Sequence, residues 1–467
     1  MSTGVPWKNA GVMGLGLSGV AAAGYLLRRG ARVVAADSRP LAQLSAEARA
    51  VAGTGVTVRP GDDPKAFDGC DVVIASPGVP PEAPPLQGAR RAGIPILAEV
   101  ELGARCLRGV LIGITGSNGK STVTALTTAM LKAGGLPARM CGNIGTPLTA
   151  VAEEDLSLPE DQARRVHYVV ELSSFQLEGI QTLRPHIAIL TNLSPDHQDR
   201  YREPRDYFEA KARIFMNQRG DDVAVVGWDD AAVRPFTERI ASRLFPFSLT
   251  EDLEEGAVLD GRRLVLRRSG REETIMEAAA VPLPGRHNLE NVLACIATAA
   301  HCGIAAAKMA GAVSEFAGLP HRLQRVATLG GTTWVNDSKA TNVGAALRAL
   351  EAYAVPVVML LGGYDKGGDF EPLRGALVDR GSRLRAVVTF GKAGPDIAQR
   401  LEGAVRVFRS GGLADAVRTA AELAQSGDVV LLAPACASFD AYTGFEQRGD
   451  DFRALVERLA AQRGGQG

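Results

Sequence analysis

Short apolar runs alternate with stretches of helical spacing along most of the 467-residue chain. The runs are four or five residues long and rich in Val, Ile and Ala, which is typical of buried strands. They occupy residues 32–36, 71–75, 110–114, 167–171, 187–190, 223–226, 263–267, 357–361, 386–390 and 429–433. The helical stretches include residues 20–28, 206–219 and 291–301. This alternation predicts an α/β protein whose sheets are covered by helices.

The composition excludes several classes of partner. Hydrophobic residues make up 46% of the chain and charged residues 22%, which is ordinary for a globular protein with several cores. Basic and acidic residues number 52 each, so no excess charge favours nucleic acid or an anionic membrane surface. The six cysteines form no CxxC pair, as expected of reduced thiols, and no apolar run is long enough to span a bilayer. We therefore expect a cytoplasmic protein that binds neither nucleic acid nor membrane.

A glycine pattern near the start predicts a nucleotide-binding turn. Gly14, Gly16 and Gly19 precede the first helical stretch, and Asp37 ends the strand after it. In this fingerprint the glycines admit a phosphate at the helix N-terminus and the acid reaches a ribose. The pattern indicates a nucleotide without specifying which one, and Asp37 is alternatively only the last residue of a strand.

A second glycine-rich turn, Thr115–Ser121, joins the run at 110–114 to a helix that continues through Met130. Such a turn directs backbone N–H groups and the helix N-terminus at an anion, and Lys120 reaches the β- and γ-phosphates. Ser121 or Thr122 offers a hydroxyl to Mg²⁺. Ile114 stands where the general pattern has a glycine, so the loop is a variant. It predicts an ATP-binding protein.

A chain of this length is expected to hold roughly three domains, at about 150 residues each. We predict three doubly wound α/β domains: a Rossmann-like domain over 1–107, a P-loop ATPase-like domain over 108–318 and a second Rossmann-like domain over 319–467. In the last segment Lys339, Lys366 and Ser438 each follow a strand end. Together they indicate an anionic ligand, although each lysine alone is more often a surface charge.

Acidic and basic side chains near the phosphate loop suggest a metal site. Glu171 ends the strand at 167–171, where a Mg²⁺ ligand is expected beside a phosphate loop. His197 follows Asp196 in a strand-exit turn, and the residues leave open whether it is structural or functional. Lys211, within the helical stretch at 206–219, is by itself an ordinary helix lysine.

The motifs taken together resemble the Mur ligase family. The resemblance runs in the same order from the first glycine loop to Arg453, and it is carried by Thr-Gly-Ser-Asn-Gly-Lys-Ser-Thr (115–122), Glu-Leu-Ser-Ser-Phe-Gln (171–176), Asn-Asp-Ser-Lys-Ala-Thr-Asn (336–342), Ala-Pro-Ala-Cys-Ala-Ser (433–438) and Phe-Glu-Gln-Arg-Gly (445–449). The motifs of the last segment are most similar to the member that adds D-glutamate to UDP-N-acetylmuramoyl-L-alanine.

The resemblance implies an ATP-dependent amide ligase of peptidoglycan precursor synthesis. ATP would phosphorylate the substrate carboxylate, and the D-glutamate amine would displace phosphate from the acyl phosphate. It implies ATP and Mg²⁺ at two sites as cofactors, small molecules as the only partners, and a monomer.

The resemblance also implies roles for individual residues. The catalytic residues would be Lys120, Glu171, His197 and Lys211. The ATP site would comprise Gly116, Ser117, Asn118, Gly119, Lys120, Ser121, Thr122, Asn288, Arg322 and Asp337. The UDP-substrate site would comprise Leu17, Ser18, Asp37, Ser38, Arg39, Ser76 and Asn143. The D-glutamate site would comprise Lys339, Thr341, Lys366, Ser438 and Phe445. The metal ligands would be Ser121, Glu171, His197 and, if carbamylated, Lys211.

Three other interpretations remain at this stage. An NAD-dependent dehydrogenase would explain Gly14 to Asp37 but not Lys120, Glu171 or the last segment. A non-catalytic nucleotide-binding regulator would bind ATP without turnover, which the acids and lysines at strand ends disfavour. A sibling ligase for another amino acid, or a folylpolyglutamate synthetase, would differ in the last segment.

Overall fold

The chain forms two compact units in the computed structural model, which describes residues 5–198 and 200–464. The first unit comprises the chain up to Leu193 together with Arg205–Met276 and Val292–Val313. The second comprises Ser194–Pro204, Glu277–Asn291 and the chain from Ser314 onward. The first unit contains two sheets and the second contains one.

The first sheet has five parallel strands in the order β3-β2-β1-β4-β5. Its elements are β1 (Asn9–Met13), α1 (Leu17–Arg28), β2 (Arg32–Asp37), α2 (Ala46–Ala52), β3 (Thr57–Pro60), β4 (Val72–Ala75), α3 (Pro84–Arg91), β5 (Ile96–Ala98) and α4 (Glu99–Ala104). The β1–α1 turn needs its glycines: Gly14 has φ +85°, and a Cβ on Gly19 would lie 1.8 Å from the Gly14 carbonyl oxygen. The strand order reverses at β1, so β1 and β4 diverge into loops that leave a crevice.

The second sheet has nine strands in the order β14-β13-β12-β11-β10-β9-β6-β8-β7. Its strands are β6 (Val110–Thr115), β7 (Ala138–Gly142), β8 (His167–Glu171), β9 (Ile187–Leu190), β10 (Val223–Gly227), β11 (Arg243–Ser248), β12 (Gly256–Asp260), β13 (Arg263–Arg268) and β14 (Arg271–Glu277). Strands β6 to β12 run parallel, and β13 is antiparallel to β12. The central strand β6 lies between β8 and β9, which places the turn after it at the point where the strand order reverses.

Helices α5 to α12 follow in this part of the chain, and some of them differ from the prediction. They are α5 (Lys120–Ala133), α6 (Leu148–Leu156), α7 (Glu160–Ala163), α8 (Ser174–Glu178), α9 (Pro204–Ala212), α10 (Arg234–Thr237), α11 (Arg286–His301) and α12 (Ala306–Glu315). The helix predicted over 206–219 ends at Ala212, because the chain tightens into a 3₁₀ turn at Arg213–Phe215. The helix predicted from residue 291 begins five residues earlier, at Arg286.

The apolar pattern predicted a strand at 223–226 and the next at 263–267, with polar loops between them, and this prediction of loops was wrong. This stretch contains β11 and β12, and β12 forms a tight hairpin with β13 around Gly261, whose φ is +57°. The pair Asp260-Gly261, which lies between the apolar runs at 257–259 and 264–266, is itself a hairpin signal. All the apolar runs assigned as strands in the sequence do form strands.

Two buried carboxylates of α4 join the two sheets of the first unit. Glu101 accepts hydrogen bonds from the backbone N–H groups of residues 181–183 and from the side chains of Thr182 and Arg105. Burial acts to raise the pKa of Glu101, but these donors hold it below its ordinary value. Glu99 accepts from both the backbone N–H and the hydroxyl of Thr149, near the start of α6. The segments carrying the two sheets are therefore bonded directly to each other.

Glu99 should make the stability of the chain depend on pH. Burial raises its pKa from 4.5 to about 6, against the opposing effect of the Thr149 hydroxyl. The folded chain thus holds this proton more tightly than the unfolded chain, so stability falls by about 2 kcal/mol as the pH rises from about 4.5 through 6. We expect the melting temperature of Glu99→Gln, relative to the wild type, to be higher at pH 8 than at pH 5. The difference between Glu101→Gln and the wild type should instead stay nearly constant between pH 5 and pH 8, because the lowered pKa of Glu101 makes its contribution change only below about pH 4.5. A difference for Glu99→Gln that is constant with pH would contradict this account.

The third sheet has six strands in the order β15-β16-β20-β17-β18-β19, and only β15 is antiparallel to its neighbour. Its strands are β15 (Gln324–Leu329), β16 (Thr332–Asn336), β17 (Val357–Gly362), β18 (Leu384–Phe390), β19 (Val407–Arg409) and β20 (Val429–Ala435). Its helices are α13 (Val343–Glu351), α14 (Glu371–Asp379), α15 (Gly394–Leu401), α16 (Leu413–Leu423) and α17 (Phe445–Gly464). The carboxyl ends of β16, β20 and β17 lie side by side at one edge.

The prediction of three α/β parts built on mostly parallel sheets is confirmed. The boundaries at residues 107 and 318 stay a prediction. All six cysteines are free thiols, and four of them are buried. None of the helices within residues 5–198 and 200–464 is both long and apolar enough to cross a membrane.

Candidate active site

The phosphate loop between β6 and α5 has the conformation expected of an anion cradle. Gly116 has φ +147° and Gly119, which precedes α5, has φ +86°, so both adopt backbone conformations that favour glycine. A Cβ on Gly116 would lie 1.9 Å from the Thr191 hydroxyl. The Lys120 ammonium folds over the loop and donates to the carbonyl oxygens of Gly116 and Ser117, at 2.8 and 3.0 Å. The cation is therefore held directly above the turn.

Residues at the end of the neighbouring strand β9 fix this loop. The Asn192 carbonyl oxygen accepts from the Ser117 N–H at 2.8 Å, and its side-chain oxygen accepts from the Asn118 N–H at 3.0 Å. The Thr191 hydroxyl and the Asn192 amide both donate to the Asn118 carbonyl oxygen. The sequence showed a Thr-Asn pair at a strand exit but no signal that it supports the loop, because the contact spans more than seventy residues.

Glu171 lies one strand away from the loop, with β8 paired to β6 so that Glu171 is opposite Ile114. It is 1% exposed, and its Oε1 accepts from the Asn143 side chain at 2.7 Å. Its Oε2 is buried and has no hydrogen-bond partner among the described residues. An ionised carboxylate oxygen left unpaired in the interior is costly, and a hard divalent cation is the partner that suits it. The residues present therefore fit a Mg²⁺ ion.

Lys211 is buried against the same loop. Its side chain extends from α9, is 1% exposed, and donates from Nζ to the Gly116 carbonyl oxygen at 2.8 Å. The ammonium also lies 4.5 Å from the centre of the Tyr207 ring. A buried lysine in contact with a phosphate loop is not an ordinary helix-surface charge, so that interpretation was wrong.

The first sheet carries a cavity of about 640 Å³ at the crevice between β1 and β4. Six of the seven residues predicted for the UDP substrate line it: Leu17, Ser18, Asp37, Ser38, Arg39 and Ser76. The Ser76 hydroxyl donates to the Gly14 carbonyl oxygen at 2.8 Å, which joins the two loops at the crevice. Asn143 does not line this cavity and instead contacts Glu171. The loop at 77–80, which follows Ser76 after the end of β4, also lines it.

Within the second unit, the residues predicted for ATP lie in two places. Asp337 follows β16, where burial raises its pKa to about 7 and the charge of Arg322 opposes the rise. The Leu323 N–H donates to the Asp337 carboxylate at 3.3 Å. Asn288, near the start of α11, instead donates to the Pro284 carbonyl oxygen and accepts from Asn291.

The residues predicted for D-glutamate gather at the carboxyl ends of β16, β17 and β20. The Lys339 ammonium lies 3.8 Å above the centre of the Phe445 ring. Ser438, after β20, is 2% exposed, and Thr341 follows Lys339 in the turn before α13. The Lys366 ammonium lies 3.5 Å from the Asp196 carboxylate. Three strand ends thus supply two cations and two hydroxyls at one edge of the third sheet.

Asp196 and His197 belong to the segment Ser194–Pro204 of the second unit. Asp196 accepts from the Asn342 side chain at 2.7 Å in addition to pairing with Lys366. Burial acts to raise the pKa of Asp196, but Lys366 and the His197 ring hold it below its ordinary value. His197 has φ +54°, an uncommon conformation for a residue with a side chain. Its assignment as a metal ligand stays a prediction.

Arg448 is a supporting residue that the sequence did not single out. It is 1% exposed, and burial lowers its pKa to about 10. The guanidinium donates to the hydroxyl and the carbonyl oxygen of Ser338 and to the carbonyl oxygens of Cys436 and Ala437. It therefore ties the loop after β16 to the loop after β20, the two loops that carry Lys339 and Ser438. The only signal was its place in the Phe-Glu-Gln-Arg-Gly motif.

Three family models match the chain in order. They are described as Mur ligase MurD-like, N-terminal domain (residues 8–98), Mur ligase middle domain (114–299) and Mur ligase, glutamate ligase domain (321–436). Together they cover most of the 467 residues, and one model matches the part of the chain that carries each sheet. The chain belongs to the Mur ligase family. The resemblance seen in the motifs is thereby confirmed, and the dehydrogenase interpretation is set aside.

Curated relatives support the family membership over nearly the full length of the chain. The UDP-N-acetylmuramoylalanine–D-glutamate ligase of Myxococcus xanthus is 43% identical over 458 residues, covering 96% of this chain and 98% of the relative. The protein of that name from Acidobacterium capsulatum is 41% identical over 452 residues, covering 96% of both chains. A solved MurF ligase from Thermotoga maritima in complex with ADP is similar in fold, with a TM-score of 0.57 and 16% identity over 93% of this chain and 91% of that one.

The residues predicted for the site thus fall into three groups. The phosphate loop, Asn143, Glu171 and Lys211 come together in the first unit, and the cavity residues form a separate group there. The residues after β16, β17 and β20 form the third group, in the second unit. No cluster of three or more His, Cys, Asp or Glu side chains suited to a metal occurs in the described part of the chain. A metal at Glu171 would therefore need hydroxyl, phosphate or carbamate oxygens as its other ligands.

Proposed function

We propose that this Mur ligase adds D-glutamate to UDP-N-acetylmuramoyl-L-alanine at the expense of ATP, in cytoplasmic peptidoglycan precursor synthesis. The observation that carries the proposal is the identity of 41–43%, over at least 96% of the chain, to relatives that bear the name of this activity. The substrate carboxylate oxygen attacks the γ-phosphorus of ATP and ADP leaves. The D-glutamate amine then attacks the acyl-phosphate carbon, and the tetrahedral intermediate expels phosphate to leave an amide.

The phosphate loop binds the ATP phosphates in this proposal. Lys120 moves its donors from the Gly116 and Ser117 carbonyl oxygens to the β- and γ-phosphates, where it offsets charge in the phosphoryl transfer. Glu171 and the Ser121 hydroxyl would hold Mg²⁺, which supplies charge neutralisation between the phosphates and the attacking carboxylate. Lys211 would add a ligand for a second Mg²⁺ if its buried amine is carbamylated.

The third sheet binds the amino acid. Lys366 and Lys339 are suited to pair with the two carboxylates of D-glutamate, and the buried Ser438 hydroxyl offers a further donor. Lys366 is already paired with Asp196, so an incoming carboxylate must share or displace that contact. This arrangement of two ammonium groups at one sheet edge supports a dicarboxylic amino acid over alanine.

A bulky residue at Gly78 should block the cavity of the first sheet. Gly78 lines this cavity, and a Cβ added there meets no atom within 4 Å, so a side chain can enter without straining the loop. We expect Gly78→Phe to raise the KM for the UDP substrate at least about tenfold, with the KM for ATP unchanged. Gly220→Phe is the matched control, because Gly220 is equally open but lies outside the cavity. If Gly78→Phe and Gly220→Phe had the same KM for the UDP substrate, the substrate would not bind in this cavity.

Phosphate release tests the proposed reaction directly. The chain is incubated with ATP, Mg²⁺ and UDP-N-acetylmuramoyl-L-alanine, together with D-glutamate, L-glutamate, L-alanine or no amino acid. Release only with D-glutamate, together with formation of the amide product, supports the proposal. Release with another amino acid would identify a sibling ligase. No release under any of the four conditions would favour the nucleotide-binding regulator.

A further inference from the structure

Asp37 occupies the position from which an acid of this fold reaches the ribose of a bound nucleotide. In this chain the two oxygens of its carboxylate already accept four hydrogen bonds from the protein. Oδ2 accepts from the Leu15 N–H and from Arg39 Nη2, and Oδ1 accepts from the Arg39 N–H and Nε, all at 2.8–3.0 Å. Burial acts to raise the pKa of Asp37, but the Arg39 side chain holds it below its ordinary value. Asp37 is therefore a structural counter-ion with no lone pair left for a ligand.

Another acid lines the same cavity. Asp62 follows β3, the strand next to β2, and it is exposed. The preceding residue, Gly61, has φ +97° and donates its N–H to the Asp37 carbonyl oxygen at 2.8 Å, which fixes this turn beside the end of β2. The Asp62 carboxylate makes no hydrogen bond or ion pair with any residue in the described part of the chain. Its acceptor sites are thus available within the cavity.

The charges of the cavity indicate which part of a nucleotide Asp62 faces. Asp37, Arg39 and Asp62 are its ionisable lining residues, and the first two neutralise each other. The phosphates belong at the N-terminus of α1, after β1. Strand β3 is two strands away from β1, a separation of about 10 Å. An unpaired carboxylate at that distance from the phosphate turn is placed for the neutral nucleoside and not for the phosphates.

We propose that Asp62 is a specificity-determining residue that accepts a hydrogen bond from a neutral donor of the uridine group, either a ribose hydroxyl or the N3–H of uracil. It takes over the recognition that Asp37 would perform in a dinucleotide-binding protein. The inference rests on the proposed binding of the UDP substrate in this cavity.

Calorimetric titration with UDP tests the proposal. We expect Asp62→Ala to bind UDP about tenfold more weakly than the wild type, because the lost acceptor is charged and partly desolvated by the ligand. Asp63→Ala is the matched control: it makes the same truncation and change of charge one residue away, and Asp63 does not line the cavity but accepts from the Lys65 N–H. We expect Asp63→Ala to bind UDP within about twofold of the wild type, since its bond is confined to the turn.

Three analogues then identify the donor: 2′-deoxy-UDP, 3′-deoxy-UDP and N3-methyl-UDP. The wild type should lose affinity for the analogue that lacks the donor, and Asp62→Ala should show no further loss with that same analogue. UDP affinity of Asp62→Ala equal to that of the wild type would overturn the proposal. It would also be overturned if Asp62→Ala bound each of the three analogues more weakly than the wild type does by the same factor as UDP. Gly78→Phe separates the two levels: if it leaves UDP binding intact, the cavity assignment itself has failed, whereas weakened UDP binding by Gly78→Phe with unchanged binding by Asp62→Ala overturns only the role of Asp62.

Discussion

Glu171→Gln should lower kcat by about 10²–10³-fold while leaving the chain folded. Glutamine keeps the oxygen that accepts from Asn143 but removes the charge from the buried position of Oε2, which has no partner among the described residues. The loss should be accompanied by weaker activation by Mg²⁺. Without Mg²⁺, the melting temperature of the variant should be no lower than that of the wild type, because an unpaired buried charge is replaced by a neutral amide. Initial rates across a Mg²⁺ titration and a thermal melt in chelator measure both effects.

Substituting a metal ligand should lower kcat without lowering the melting temperature in chelator. Substituting a carboxylate with a structural role should lower both. Glu160→Gln serves as the control, since Glu160 is exposed and pairs with the exposed Arg164 in the next turn. If Glu171→Gln kept more than a tenth of the wild-type kcat with an unchanged Mg²⁺ dependence, Glu171 would have no role in holding the metal.

Arg448→Met should destabilise the second unit by about 3 kcal/mol or more. The substitution leaves the carbonyl oxygens of Ser338 and Cys436 without their buried donor, and each unsatisfied group costs about 1–3 kcal/mol. The Ala437 carbonyl oxygen also loses Arg448 but keeps the Tyr364 N–H. Arg448→Lys should lose nearly as much, because one ammonium cannot replace the planar fork that spans two loops. The KM for D-glutamate should rise in both variants, since these loops carry Lys339 and Ser438.

Hydrogen exchange measured by mass spectrometry would localise this effect to the carboxyl ends of β16 and β20. Arg453→Met is the matched control on the same helix, because Arg453 is 44% exposed and pairs with Asp450 at the surface. It should change stability by less than about 0.5 kcal/mol. Protection of β16 and β20 that is equal in the Arg448 and Arg453 variants would show that the buried guanidinium does not hold these loops.

The parts of the molecule that the sequence predicted are those with local causes. The strand Val110–Thr115, the turn after it and the helix from Lys120 follow from apolar pattern and glycine spacing within about twenty residues. The six cavity residues at Leu17 to Ser76 follow in the same way from the first glycine motif and from the resemblance. Short-range physics was sufficient in these regions because the functional turn and the secondary structure use the same residues.

Contacts between distant segments could not be predicted in this way. The burial of Lys211 depends on the Gly116 carbonyl oxygen, and the loop conformation depends on Asn192, which is more than seventy residues away. Strand β11 contains a proline, which argues against a strand inside a sheet. It is nevertheless paired with β10 and β12, and these pairings are not visible in its own sequence. The saturation of Asp37 by Arg39 also has no sequence signal, because an acid at that position normally serves the ligand.

The carboxylate of Glu101, which accepts from three consecutive backbone N–H groups at 181–183, has a consequence for inhibitor chemistry. Because it ties the helix after the first sheet to the second sheet, the cavity of the first sheet and the phosphate loop are held within one unit. A single molecule that joins a group for the cavity to a phosphate mimic for the loop can therefore use a stiff tether. A stiff tether of matched length loses little entropy on binding and raises the effective concentration of the second group, so its affinity should exceed that of either fragment by orders of magnitude.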